Sequence, residues 1–176
     1  LSYGERILFE DVGFTVETGD RVALTGSNGC GKSSLLKSVL GEEISKRGEL
    51  RVGGGLRLSY VPQDTSFLRG GLKAFAQERE LDESLFKTIL RKLGFAREQF
   101  ALPMEGFSAG QKKKALLAAS LCTPAHLYVW DEPLNYIDVL SRIQLEELLL
   151  ACRPTLLFVE HDARFCRTVA TKTVKL

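Results

Sequence analysis

Hydrophobic positions along this 176-residue chain change their period several times. In "RILFEDVGFTVETGD", residues 6–20, apolar and polar types alternate enough to predict strands, with a turn at Thr18, Gly19 and Asp20. "RVALTG", residues 21–26, is a continuous apolar run entering a glycine, the pattern of a buried strand. Residues 32–40, "KSSLLKSVL", take helical spacing and stop at Gly41, a natural residue just past a helix end. "GELRVGGGLRLSYVPQ", residues 48–63, predicts two more strands around Gly53 to Gly55. After Gln63 the period changes: Leu72 to Phe100 carries the 3.6-residue spacing of short helices, clearest in "LFKTILRKLGF". Ser108 should start a further helix, with Gln111 three residues on completing a capping box. A strand at Leu127–Trp130, a helix over Ser141 to Ala151, a strand "TLLFVE" and a last short helix and strand complete the pattern, and there are no internal repeats.

Composition narrows the class without naming a chemistry. With 44% hydrophobic and 26% charged residues the chain can core one soluble domain, and its length does not call for two. Its 24 basic and 22 acidic side chains are interspersed, so no overall basic field points to nucleic acid. Cys30, Cys122, Cys152 and Cys166 form no CxxC pair and have no clustered histidines beside them, which fits free thiols in a reducing, cytoplasmic setting. No apolar run approaches the roughly 18 residues of a membrane span. Leu1 begins in mid-pattern with neither Met nor a signal peptide, so the chain reads as a piece of a longer polypeptide.

The chemistry starts at "GSNGCGKSS", Gly26 to Ser34, which matches G-x-x-x-x-G-K-[ST] with a strand before it and a helix after it. Across Asn28, Gly29, Cys30 and Gly31 the backbone can wrap a β-phosphate with its N–H groups, and the helix N-terminus adds the positive end of its dipole. Lys32 reaches the β- and γ-phosphates, the Ser33 hydroxyl can bind Mg²⁺, and Ser34 completes the set, so the nucleotide expected is a triphosphate. Cys30 needs only to be small there and is read as filler, not as a nucleophile.

"LYVWDEPLNYID", residues 127–138, ends an apolar strand in two carboxylates. Adjacent acids usually just solvate a loop, but a phosphate loop needs a second strand that delivers an acid toward Mg²⁺, and Asp131 stands at that strand's tip. Glu132 faces the other way by strand alternation; the turn at Pro133 lets it aim at a water in line with the γ-phosphate, as general base or as orienting group.

With "FSAGQ" at Phe107–Gln111 between these two motifs, the chain resembles an ATP-binding cassette (ABC) nucleotide-binding domain along nearly its whole length. Tyr3 resembles the adenine-stacking aromatic, Gln63 in "YVPQD" the Q-loop glutamine, "LNYID" the D-loop and His161 in "VEHD" the switch histidine. The resemblance implies an α/β fold: a phosphate-loop ATPase core of the ABC type with an antiparallel β part and a small helical lobe. It implies one such domain over residues 1–176, the lobe at about 64–124 and the ATP-binding core in the remainder. It also implies ATP with Mg²⁺, and two cassettes packed head to tail. Ser108 and Gly110 would then close over the γ-phosphate held by the partner, Asp138 would link the two sites, Gln63 would sense Mg²⁺ and γ-phosphate, and His161 would hold the γ-phosphate.

Gln63 to Ser108 spans only 45 residues, a small lobe, and "FSAGQKKK", "DEPLNYID" and "EHDARF" resemble the soluble, ribosome-acting ABC-F proteins. "WDEPLNYID" is most similar to the second cassette of their antibiotic-resistance branch. Ala109 stands in place of the usual glycine, and Leu134, Tyr136 and Ile137 in place of the Thr, His and Leu common there. A transporter ATPase subunit and an ATP-gated binding module with little turnover are the alternatives. Lys112 to Lys114 read as a solvated polar helix face, with ribosomal RNA contact as the functional alternative.

Overall fold

A computed structural model describes residues 12–42 and 49–176, together with the backbone of two short strands, β1 (Ser2–Tyr3) and β2 (Arg6–Ile7), which pair antiparallel. The side chain of Tyr3 lies outside the described residues. The chain folds as two compact units, one comprising Leu1–Tyr60, Ala125–Glu132 and Arg153–Leu176, the other Val61–Pro124 and Pro133–Cys152.

The first unit is built on a sheet of β3 (Arg21–Thr25), β4 (Leu58–Val61), β5 (Leu127–Asp131), β6 (Leu156–Val159) and β7 (Lys172–Lys175), in the order β4-β5-β6-β3-β7. The β5–β6, β6–β3 and β3–β7 pairs are parallel. Central parallel strands are covered on both faces and therefore read as continuous apolar runs; β6 is buried at all four positions, and Val22, Ala23 and Leu24 of β3 at 0% exposure. Helix α1 (Lys32–Val39) lays Leu35, Leu36 and Val39 on Val22, Leu24, Val129, Leu157 and Val159. Phe158 meets Phe165 of the later helix α6 (Ala163–Val169) edge to face, centroids 5.7 Å apart, a contact worth about 0.5–1.5 kcal/mol beyond its burial.

Only one of the two strands expected in residues 48–63 forms among the described residues. Residues 49–57 are irregular, Gly55 turns the chain at φ +72°, and β4 begins afterwards. Val12–Glu17 keeps its alternation of more and less exposed positions, yet it is not assigned as a strand. A period of two records which side chains face inward; the ladder itself needs a neighbour that periodicity does not supply.

The second unit is helical: α2 (Leu72–Glu78), α3 (Glu83–Lys92), α4 (Ala109–Cys122) and α5 (Val139–Cys152), with 3-10 turns at Arg97–Ala101 and Met104–Gly106. Asp82 caps α3 by accepting from Leu85 N–H at 2.8 Å. Phe75, Phe86, Ile89, Leu90, Leu93, Met104 and Leu117 are buried within this unit.

Candidate active site

The phosphate loop links β3 to α1. Gly31 stands just before the first helical residue at φ +103°, a conformation glycine adopts without the Cβ penalty of other residues. Gly26 has no room for a side chain: a Cβ there would lie 2.8 Å from the Leu176 carbonyl oxygen and 2.9 Å from Cys30 Sγ. Asn28 and Gly29 form the exposed turn, while Ser33 and Ser34, in the first turn of α1, are half-buried. Lys32 is 6% exposed, and its Nζ donates to the carbonyls of Gly26 at 3.0 Å and Ser27 at 2.8 Å. Cys30 Sγ lies 3.9 Å from that ammonium. The loop is thus a shallow backbone cradle braced by one buried positive charge, and that arrangement fits a phosphate group.

The two acids part company at the end of β5. Asp131 is the last strand residue, in register with Val159 and 2% exposed. Burial first, then the charges of Asp131 and Glu42, push the Tyr60 phenol up to about 12, so the negative field of Asp131 reaches its surroundings. Glu132 N–H donates to Val159 O at 3.0 Å, continuing the sheet by one bond, and its φ of +47° then turns the chain out of the strand. A left-handed conformation at a non-glycine residue costs on the order of 1 kcal/mol or more and persists where the surroundings enforce it. Here it brings Glu132 Oε1 within 3.5 Å of His161 Nε2, although 28 residues of chain separate the two side chains.

His161 is held by its predecessor, a residue that motif reading passed over. The buried Glu160 accepts from His161 N–H at 2.7 Å and Asp162 N–H at 3.2 Å through one carboxylate oxygen, and Asp162 caps α6 through Phe165 N–H at 2.8 Å. The available signal was an acid ending a fully apolar strand. The first unit therefore assembles Gly26–Ser34, Asp131, Glu132 and His161.

The second unit carries Gln63, Ser108, Gly110 and Asp138. Ser108 caps α4: its Oγ accepts from Gln111 N–H at 3.2 Å, and Gln111 Oε1 accepts from Ser108 N–H at 2.8 Å, completing the capping box. Gly110 is tightly fitted, since a Cβ there would sit 2.3 Å from the carbonyl oxygen of Tyr136, itself at φ +64°. Asp138 accepts from Ser141 N–H at 2.9 Å, Ser141 Oγ at 2.8 Å and Lys114 Nζ at 2.6 Å. Burial alone would raise its pKa, but the hydrogen bonds from Lys114 and Ser141 and the Lys114 charge outweigh it and hold the carboxyl well below its usual range.

The lysine triplet is not a solvated face. Lys113 is 0% exposed and donates to the carbonyls of Pro62 at 2.8 Å and Gln63 at 3.3 Å; Lys114 pairs with Asp138; and Lys112 contributes its charge to holding Asp64 and Glu105 low, behind their hydrogen bonds. Partners from distant loops decide this, and three consecutive lysines carry no local sign of them. Ser141, 2% exposed with Oγ also donating to Leu93 O at 2.8 Å, was equally invisible.

A strand, a phosphate loop and a helix, with a buried acid at the tip of a parallel strand, define a phosphate-loop nucleotide-binding domain. The family model described as "ABC transporter" matches residues 9–135, and the chain belongs to that family as an ABC nucleotide-binding domain. It is 34% identical over 177 residues to the ribosome protection protein VmlR of Bacillus subtilis, covering 98% of this chain and 32% of the relative. It is 27% identical over 192 residues to ABC transporter F family member 2 of Arabidopsis thaliana, covering 100% of this chain and 27% of that protein. Among solved structures, the archaeal ribosome recycling factor aABCE1, in complex with the archaeal ribosomal stalk protein aP1, superimposes with a TM-score of 0.75 at 24% identity, over 91% of this chain and 32% of that one. The likeness confirms the α/β fold, and the chain spans about three tenths of the length of these curated relatives. The ligand of such a domain is ATP. No helix among the described residues is long and apolar enough to cross a membrane.

Proposed function

We propose that this chain is one ATP-hydrolysing cassette of a cytoplasmic ABC-F protein that acts on ribosomes, closing head to tail on a second cassette when ATP binds and reopening after hydrolysis. The observation that carries the hydrolytic reading is the first unit's assembly: a phosphate cradle braced by Lys32, a buried Asp131, and Glu132 within 3.5 Å of His161. Lys32 and the loop N–H groups bind the β- and γ-phosphates. Ser33, Asp131 and the amide oxygen of Gln63 are hard oxygen donors, which suits Mg²⁺ better than a thiophilic metal. Bound Mg²⁺ neutralises charge on the phosphoryl oxygens. Glu132 takes or orients the proton of the attacking water, and His161 holds Glu132 and the γ-phosphate in place. Tyr3 stacks on adenine.

Ser108 and Gly110 serve the partner's nucleotide through the N-terminus of α4, and Asp138 lies beside that contact. The exposed apolar cluster of Tyr136, Val139 and Leu140 supports a protein partner there. Ribosome action rests on the similarity to a ribosome protection protein, and antibiotic resistance as its form on the resemblance of residues 130–138 to that branch of the ABC-F proteins.

Glu132→Gln keeps shape and hydrogen bonding but removes the base, whereas Asp131→Asn weakens Mg²⁺ placement. In the full-length protein, with the other site's equivalent glutamate also changed, Glu132→Gln should slow hydrolysis about 10²- to 10⁴-fold. It should then co-sediment with ribosomes in ATP but not in ADP, and Asp131→Asn should not be trapped. If both variants pellet alike, or Glu132→Gln turns over at the parental rate, the reading fails.

A further inference from the structure

Lys113 is among the largest fully buried side chains of the molecule, and it lies in a helix whose next buried residues are Ala115 to Ser120. An ammonium taken out of water costs several kcal/mol unless its donors are met, so a leucine or methionine would cost less if packing were the only need. Two of its three donors meet carbonyls about fifty residues upstream, those of Pro62 and Gln63. On the far side of Gln63, Asp64 accepts from Ser66 N–H at 2.8 Å and Ser66 Oγ at 2.9 Å, closing a tight turn. The main chain of Gln63 is therefore gripped from both sides while the residue itself remains exposed. The same helix starts at the Ser108 cap five residues earlier and holds Asp138 through the next residue, Lys114.

We propose that Lys113 is a positioning residue for ATP hydrolysis: its buried ammonium pins the Gln63 main chain to α4, so that the Gln63 amide and the Ser108–Gly110 turn are presented in one fixed register. This rests on the reading of Gln63 as a residue that faces Mg²⁺ and the γ-phosphate. A displacement of about 1 Å at such a group costs on the order of 10²-fold in rate. The effect of Lys113 on turnover runs through Gln63 in this scheme, and a purely structural lysine would show no such dependence.

The test is a double-mutant cycle in the full-length protein. Lys113→Met should lower kcat about ten- to a hundredfold with KM for ATP within about twofold of the parent. In a Gln63→Ala background it should add less than about twofold, because the group it positions is gone. Lys113→Gln, which keeps a neutral donor and guards against misfolding of the methionine variant, should lose less than about tenfold, again only while Gln63 is present. Amide hydrogen exchange at Gln63 and Asp64, without nucleotide, should quicken at least about tenfold in either Lys113 variant while α3 is unchanged. Parental kcat in Lys113→Met, equal losses in both backgrounds, or unchanged exchange at Gln63 would each overturn the proposal. A parent that turns over no ATP sinks the ATPase reading instead, and the exchange measurement then still decides whether Lys113 grips this loop.

Discussion

Replacing Gly110 by alanine adds one methyl group where the structure has a main chain. The new Cβ would lie 2.3 Å from the Tyr136 carbonyl oxygen, and real Cβ contacts essentially never fall below 3.0 Å, so the carbonyl must retreat by at least about 0.7 Å. Tyr136 already sits at φ +64°, and neither side of the contact is a flexible side-chain end. Overpacking costs typically 1–3 kcal/mol, and a backbone clash belongs near about 3. Alanine returns about 1 kcal/mol of helix propensity, leaving a net loss of about 2 kcal/mol. For a chain of this size that lowers the melting temperature by roughly 4–8 °C, read by circular dichroism. In the full-length protein, turnover should fall about 10²-fold while ATP affinity stays within about twofold, because the phosphate loop belongs to the other unit. Gly106→Ala is the control: a Cβ there meets nothing within 4 Å, and the change should be silent within about 0.5 kcal/mol. A Gly110→Ala chain that melts at or above the parental temperature and hydrolyses normally would refute the close approach.

Lys32→Ala removes the ammonium that braces Gly26 and Ser27, and with two charge-assisted bonds to phosphate lost, ATP affinity should drop at least about 100-fold by calorimetry; unchanged affinity would misplace the nucleotide. The Asp138 carboxyl is held below its ordinary value, so its contribution to stability is complete above about pH 4 and is lost as pH falls further. Melting temperature followed from pH 7 down to pH 2 should show an acid limb that shrinks in Lys114→Met; an identical limb would deny the ion pair. The 176-residue chain alone should bind ATP with Mg²⁺ yet hydrolyse it slowly and stay monomeric, and fast, concentration-independent turnover would exclude a contribution from a partner's Ser108.

What the sequence disclosed and what it withheld divide along chain distance. The phosphate loop, the Ser108–Gln111 capping box and the strand ending in Asp131 are each encoded within about ten consecutive residues, and all three appear where the pattern places them. α5 begins at Val139, two residues before its expected start, because Asp138 caps it through Ser141 N–H. Lys113 and Ser141 had no such local signature, whereas Glu160 stood out only as an acid closing an apolar strand. Their distant partners are main-chain carbonyls, of Pro62 for Lys113 and of Leu93 for Ser141, brought to them by the tertiary fold, and a lysine facing carbonyls looks in sequence like a lysine facing water. The pairing of Glu132 with His161 lies between these cases, each residue recognisable by its motif but their approach set by adjacent parallel strands.

The position of β3 in the sheet bears on how the protein is made. β3 is finished by residue 25, yet its neighbours are β6 at 156–159 on one side and β7 at 172–175 on the other. Closing loops of more than a hundred residues is the entropic toll that slows folding of non-local topologies. During synthesis the strand that feeds the phosphate loop waits unpaired, an apolar edge open to wrong partners, until residues 156–175 have emerged. A stop codon anywhere before Leu156 would deprive β3 of both neighbours, so loss of residues 156–176 should abolish nucleotide binding as completely as loss of the loop itself.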